Sequence, residues 1–191
     1  MNYLAHAYLS FEEPDLIVGN IIADMIKGKQ INELPNEIQQ GVYLHRQIDM
    51  FTDRHPVVKE AKLLFEKSAG RYGGLFLDIS FDHFLAKSKK YEPQMGWDDF
   101  SKFCYNALEE RSATLPSKFI SLFVYMKSEN WLLNYSNNWL MEKSFERVQN
   151  RALYLDEDAR IYQEFEENYE NISQAFDLFF PDLVEFINSQ Y

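Results

Sequence analysis

Apolar residues recur at steps of three and four along nearly the whole chain, as at Leu44, Ile48 and Phe51, and no segment shows strict alternation. That period predicts helices, and the few breakers mark their ends. Among 191 residues there are only 7 Gly and 6 Pro. Pro14 suits the first turn of a helix through Leu16–Val18 and Ile21–Ala23 that stops near Gly28. Pro35 opens a helix reaching about Phe51, and Pro56 opens one ending at Gly70. Gly73 and Gly74 precede a helix around Asp78, and others are expected over Asp98–Arg111 and from Pro116 through Trp131. A helix over Trp139–Arg151 and a long one from about Asp158, interrupted at Pro181, complete the chain. The expectation is all-α: a single domain over residues 1–191, built as one irregular bundle of about seven to nine helices. The heptads are too short-lived for a coiled coil, and no internal repeat or linker is visible.

At 46% hydrophobic, with 16 Phe and 12 Tyr, the chain can bury one sizeable core. No apolar run approaches a membrane span, and the start lacks a basic region followed by an apolar block, so neither membrane nor signal peptide is expected. The single Cys104 excludes an intramolecular disulfide framework and favours a cytoplasmic setting; between Phe103 and Tyr105 it reads as a small buried hydrophobe. A net charge of −11 argues against general nucleic-acid binding. The charge is uneven. Residues 1–90 carry 11 Lys/Arg and 12 Asp/Glu, net −1, whereas residues 91–191 carry 8 and 18, net −10. If a metal ion absorbs Asp24, Asp49, Asp53, Asp78 and Asp82, the remaining surface nearby is net basic, supplied by Lys27, Lys29, Arg46, Arg54, Lys59, Lys62, Lys87, Lys89 and Lys90. The alternative is a solvated surface of mixed sign.

The candidate chemistry lies in the first half, which holds all four histidines. Asp78 and Asp82 stand four apart in the run Leu75–Leu85, with His83 beside them, among Leu and Phe. Carboxylates buried there are costly unless a positive partner, such as a divalent metal, neutralises them. His45, Asp49 and Asp53 form an i, i+4, i+8 stripe at the edge of an apolar face. Imidazole and carboxylate together suit Mn, Fe, Zn or Mg; the alternative for the stripe is a surface ion pair with Arg46 or Arg54. Asp24 follows an apolar turn and reads either as a further ligand or as a salt bridge to Lys27. His6 reads either as a ligand or as a hydrogen-bonded core residue, and His55 is left outside the site. With no nucleophilic triad or phosphate loop visible, metal-activated water is the remaining chemistry, and Arg46 and Arg54 are the candidate phosphate grips.

Six motifs in order resemble one family. They are Met1-Asn-x-Leu-Ala-His6, Gly19-Asn-x-x-Ala-Asp24, Gly41-x-x-x-His-Arg-x-Ile-Asp49, Thr52-Asp53, Leu77-Asp-x-x-x-Asp-His-Phe-Leu85 and Phe119-Ile-x-Leu-x-x-Tyr-x-x-Ser-Glu-x-Trp-Leu132. The chain thereby resembles the acyl carrier protein phosphodiesterases. The resemblance implies an HD-like all-α fold, distantly similar to metal-dependent phosphohydrolases, although the adjacent His-Asp order of those enzymes is absent. It further implies hydrolysis of holo acyl carrier protein to apo carrier and pantetheine 4′-phosphate, with Mn2+ favoured over Mg2+ or Fe2+. On that reading Asp24, His45, Asp49, Asp78 and Asp82 hold metal, and Arg46 with Arg54 holds phosphate. His83 or His6 serves as acid to the leaving oxygen, and Asp53 and Glu129 support the residues in front of them. A basic surface would receive the acidic carrier. Two other readings stand beside it: a metal-dependent phosphohydrolase of a nucleotide or small phosphodiester, and a non-catalytic helical binding protein whose His/Asp cluster is a salt-bridge network.

Overall fold

The computed structural model describes residues 1–156 and 159–191, so Asp158, the expected start of the last helix, lies outside the described residues. Helices dominate, with no strand among the described residues. In chain order they are α1 (Tyr3–Tyr8), α2 (Pro14–Ile22), α3 (Asn36–Arg54), α4 (Pro56–Lys62), α5 (Glu66–Ala69) and α6 (Gly73–Lys87). There follow α7 (Gly96–Glu110), α8 (Ser117–Ser128), α9 (Trp131–Asn134), α10 (Asn138–Arg151), α11 (Ile161–Glu167) and α12 (Tyr169–Asn188).

The Pro56 segment does not run unbroken to Gly70. It passes through a 3₁₀ turn at Leu63–Phe65 and a single α turn, α5. The helix expected through Trp131 also breaks, at Asn130, whose left-handed φ of 44° ends α8 and starts α9. By contrast, α12 continues through Pro181. The proline deprives only the Asp177 carbonyl of its partner, and Asp177 is exposed, so water can take that carbonyl. Phe176, Phe179, Phe180, Leu183 and Ile187, all buried, hold both halves of the helix down.

The centre of the bundle is α6. Phe76, Leu77, Ile79, Phe81, Phe84 and Leu85 are buried on all sides of it, the pattern of a helix surrounded by others. It packs against α1, α4, α10 and α12. Cys104 is buried within α7, and burial raises its thiol pKa, as a small core hydrophobe requires. No described helix is long and apolar enough to cross a membrane.

One contact does most to place the site. Helices α2 and α3 meet backbone to backbone at Gly19 and Gly41: a Cβ on Gly19 would lie 2.0 Å from the Ile38 carbonyl oxygen, and one on Gly41 2.5 Å from that of Leu16. Only glycine allows this approach. It brings Asn20, fully buried on α2, against His45 on α3.

Candidate metal centre and its cavity

Asn20 organises two histidines. Its side-chain NH2 donates to the His6 carbonyl (2.8 Å) and to Ser10 Oγ (3.1 Å), which leaves Oδ1 as the acceptor facing His6 Nδ1 at 2.7 Å. His6 therefore carries its proton on Nδ1. His45 Nδ1 likewise donates to the Asn20 backbone carbonyl at 2.9 Å. Both rings thus turn Nε2 the same way, and they stack with centroids 4.1 Å apart. His6 Nε2 lies 3.4 Å from Asp49 Oδ1; His45 Nε2 lies 3.1 Å from Asp49 Oδ2 and 3.2 Å from Asp24 Oδ1.

This donor set fits a divalent ion. One donor atom from each of His6, His45 and Asp49 falls within 4.8 Å of the others. Ligands about 2.1 Å from one ion at ordinary coordination angles sit roughly 3.0–3.4 Å apart, which matches the measured separations. His6 Nε2 is also buried without a hydrogen-bond partner among the described residues. An orphaned lone pair facing a carboxylate, with the opposite ring nitrogen fixed by a hydrogen bond, is the arrangement of a metal-ligating imidazole.

Charges follow the geometry. Burial, and then the neighbouring His45 charge, push His6 down to about 4, so it is neutral at pH 7. Burial also opposes protonation of His45, but hydrogen bonds to Asp24 and Asp49 outweigh it and lift the ring to about 9. Asp24 is held down chiefly by its hydrogen bond to His45. Burial would raise Asp49, yet the two histidines and the Met1 ammonium keep it well below the usual carboxylate range. That ammonium lies 3.1 Å from Asp78 Oδ1 and 3.8 Å from Asp49 Oδ1.

The two carboxylates of α6 share a face, and that face meets the start of α1. Asp78 lines the cavity described below, where burial raises its pKa against the pull of the Met1 ammonium. Asp82 has no exposed surface and is consumed by backbone: it accepts from Leu4 (2.7 Å), Ala5 (3.2 Å) and Asn2 (3.3 Å) N–H groups. It caps α1 rather than joining His6, His45 and Asp49. Burial pushes it up to about 7, against those donors and the Met1 ammonium.

His83 is likewise placed away from the cluster. Its Nδ1 donates to the Tyr135 carbonyl at 2.7 Å, and Nε2 lies 2.9 Å from the Tyr169 hydroxyl. With both nitrogens engaged in the core, it has no geometry for protonating a leaving oxygen, and His6, with its low pKa, is no acid at neutral pH. Burial holds His83 at about 4 against an ordinary 6.5. Between those values the unfolded chain binds a proton that the folded one refuses. His83 therefore favours folding above pH 6.5, and that stability is lost as pH falls towards 4, to the extent of about 3 kcal/mol. Urea unfolding at pH 7.5 and pH 5 should show a change less favourable to folding in the parent chain than in His83→Gln, by about 2 kcal/mol over that interval. Equal changes would assign the acid sensitivity to His6 or to other groups.

A cavity of about 800 Å3 opens beside the cluster, walled by Asp24, Asp49 and Asp78 at one side and by Tyr3, Trp131 and Tyr135. Neither Arg46 nor Arg54 lines it; both are exposed, and Arg46 lies over the Tyr43 ring. Its basic side chains are instead Lys62, Arg71, Arg147 and Arg151. Asp53 lines the cavity but pairs with Lys62 at 2.8 Å. Glu129 reaches neither Arg46 nor a histidine. It pairs with Lys143 and Arg147, each at 2.5 Å, and accepts from Trp131 Nε1 at 2.9 Å. Burial would raise Glu129, but these donors hold it down to about 2.

Residues 1–183 match the family model described as acyl carrier protein phosphodiesterase. The chain belongs to the acyl carrier protein phosphodiesterase family. The acyl carrier protein phosphodiesterase of Yersinia pestis is 31% identical to it over 96% of both chains. Those of Enterobacter sp. (strain 638) and Klebsiella pneumoniae (strain 342) are each 29% identical over the same share. No solved structure matches the chain. In this phosphodiesterase-family member the residues missed by sequence reasoning are Asn20, Arg71, Arg147 and Arg151. Asn20 had a readable signal, a lone amide in the apolar run Leu16–Ile22. The arginines had none, since each sits in an ordinary polar stretch.

Proposed function

We propose that this protein is a metal-dependent phosphodiesterase that releases pantetheine 4′-phosphate from holo acyl carrier protein and leaves the apo carrier. The observation that carries the reading is the convergence of two Nε2 atoms, both oriented by Asn20, on Asp49, which lines a cavity large enough for an extended arm. Family membership supports acyl carrier protein as the substrate. Manganese is the ion we favour, with Mg2+ or Fe2+ as alternatives. His6, His45 and Asp49 would hold it, Asp24, 3.2 Å from the same His45 Nε2, would stand beside them as a further ligand, and Asp78 faces the same cavity from α6. A divalent ion bound there would supply Lewis acidity, for activating water and for offsetting charge on phosphoryl oxygen. His45 must give up its proton to ligate, so loading weakens as pH falls. Tyr3, Trp131 and Tyr135 would give the arm an aromatic wall.

Incubating holo carrier with the purified protein and weighing the carrier tests this directly. With manganese the carrier should lose the mass of phosphopantetheine, and with chelator it should not. An unchanged carrier, together with turnover of small phosphodiesters, would move the assignment to a nucleotide or similar substrate. No reaction on either, with no ion bound, would leave a helical binding protein.

A further inference from the structure

Four cationic side chains line the cavity beside the His/Asp cluster, and they are held differently. Lys62 is paired with Asp53. The Arg71 guanidinium lies over the rings of Tyr72 and of exposed Tyr154, 5.1 and 4.5 Å from their centroids. Arg151 donates from Nε to the Arg147 carbonyl at 3.0 Å, along its own helix. Neither Arg71 nor Arg151 is paired with a carboxylate among the described residues.

Arg147 alone is fixed on an edge and a face. Nη2 donates to Glu129 Oε2, and Cζ sits 4.7 Å from the centre of the Trp131 ring. Trp131 is itself fixed, because its indole N–H donates to the same Glu129 oxygen. The left-handed residue Asn130 makes this possible by turning the chain sharply between Glu129 and Trp131, so both meet one guanidinium. Nη1 is left buried with no acceptor among the described residues, while 26% of the side chain remains exposed and the residue lines the cavity. A charged donor without an acceptor is costly, and an anionic oxygen entering the cavity would relieve it once a small side-chain shift uncovers Nη1. Tyr3 stands between the clamp and Asp24. The Tyr3 ring lies 6.2 Å from that of Trp131, and the charges of both Asp24 and Arg151 act on its hydroxyl.

We propose that Arg147, clamped by Glu129 and Trp131, takes the phosphate oxygens of the substrate in this cavity, with Glu129 as its positioning residue. The proposal rests on the phosphodiesterase reading for the identity of the substrate, although not for the chemistry of the anion. A guanidinium already immobilised by a carboxylate and an indole face loses little freedom on binding.

The competing account is a structural staple between α10 and the turn before α9. Titration of the manganese-loaded protein with inorganic phosphate, paired with kinetics on holo carrier, separates the two. Arg147→Gln should weaken phosphate at least about tenfold and raise KM, while Arg151→Gln changes either by less than about threefold. Arg147→Lys keeps a cation for Glu129, so its melting temperature should stay near the parent's while phosphate binding falls about three- to tenfold. Glu129→Gln should raise KM in the same direction. Phosphate affinity and KM within twofold of the parent in Arg147→Gln would overturn the proposal, and where that variant does not fold, the same result in Arg147→Lys would do so. Absence of saturable phosphate binding by the parent would overturn it as well. Carrier turnover with Arg147 indifferent would refute this site and leave the functional reading standing. Arg147-dependent phosphate binding with an inert carrier would do the reverse.

Discussion

Asp49→Ala is expected to lose at least about a thousandfold in kcat/KM on holo carrier, near 4 kcal/mol of transition-state stabilisation, while keeping its helical circular dichroism. Among the described residues Asp49 is the one carboxylate within 3.4 Å of both imidazole Nε2 atoms. Its removal leaves two stacked rings 4.1 Å apart with no anion between them. Manganese affinity, followed by calorimetry, should fall in parallel, because two neutral nitrogens and Asp24 make a poor site for a hard ion. The fold should survive because Asp49 is partly exposed and lies at the edge of the core rather than within it. Activity within tenfold of the parent, with metal still bound, would remove Asp49 from the centre and with it the proposed ligand set.

Asp82→Ala should act on stability first, lowering it by about 2–4 kcal/mol and the melting temperature by roughly 4–16 °C. Helix α1 has no side-chain cap of its own, and Asp82 alone accepts the Asn2, Leu4 and Ala5 N–H groups. Alanine would leave those donors beside an apolar wall. Relief of the cost of a buried carboxylate offsets part of the loss, which therefore stays below the sum of three hydrogen bonds. Asp82→Asn, which keeps an acceptor, should fall between. Activity should drop only as α1 loosens, since α1 carries His6. Asp78→Ala, one turn away and facing the cavity, should reverse the balance: small loss of stability, large loss of turnover. Chemical denaturation beside kinetics on both variants decides it, and equal stability in Asp82→Ala and the parent would refute the capping role.

That contrast marks how far local pattern reaches. The i, i+4 spacing places His45 beside Asp49 and Asp78 on one face with Asp82, because helical geometry is a property of neighbours in sequence. It says nothing of what lies opposite. Asp78 meets a cavity and Asp82 meets the backbone of a helix 77 to 80 residues earlier in the chain. His83, beside them in sequence, points round the helix into the core at Tyr135 and Tyr169. Arg46 and Arg54 shared a helix with the ligand candidates, but on a face turned to solvent.

The sequence by itself determined the all-α class, most helix starts, and the family, because breakers and a 3.6-residue period act locally and motifs are read in order. Only the tertiary structure decided which polar groups face each other. The backbone contact at Gly19 and Gly41 seats Asn20 between His6 and His45, and a one-residue left-handed turn sets Glu129 and Trp131 against Arg147. The physical reason is that a hydrogen bond or a ligand set is fixed by distances of a few ångströms between segments far apart in sequence. Those distances come from how the helices pack, which no spacing within one helix encodes.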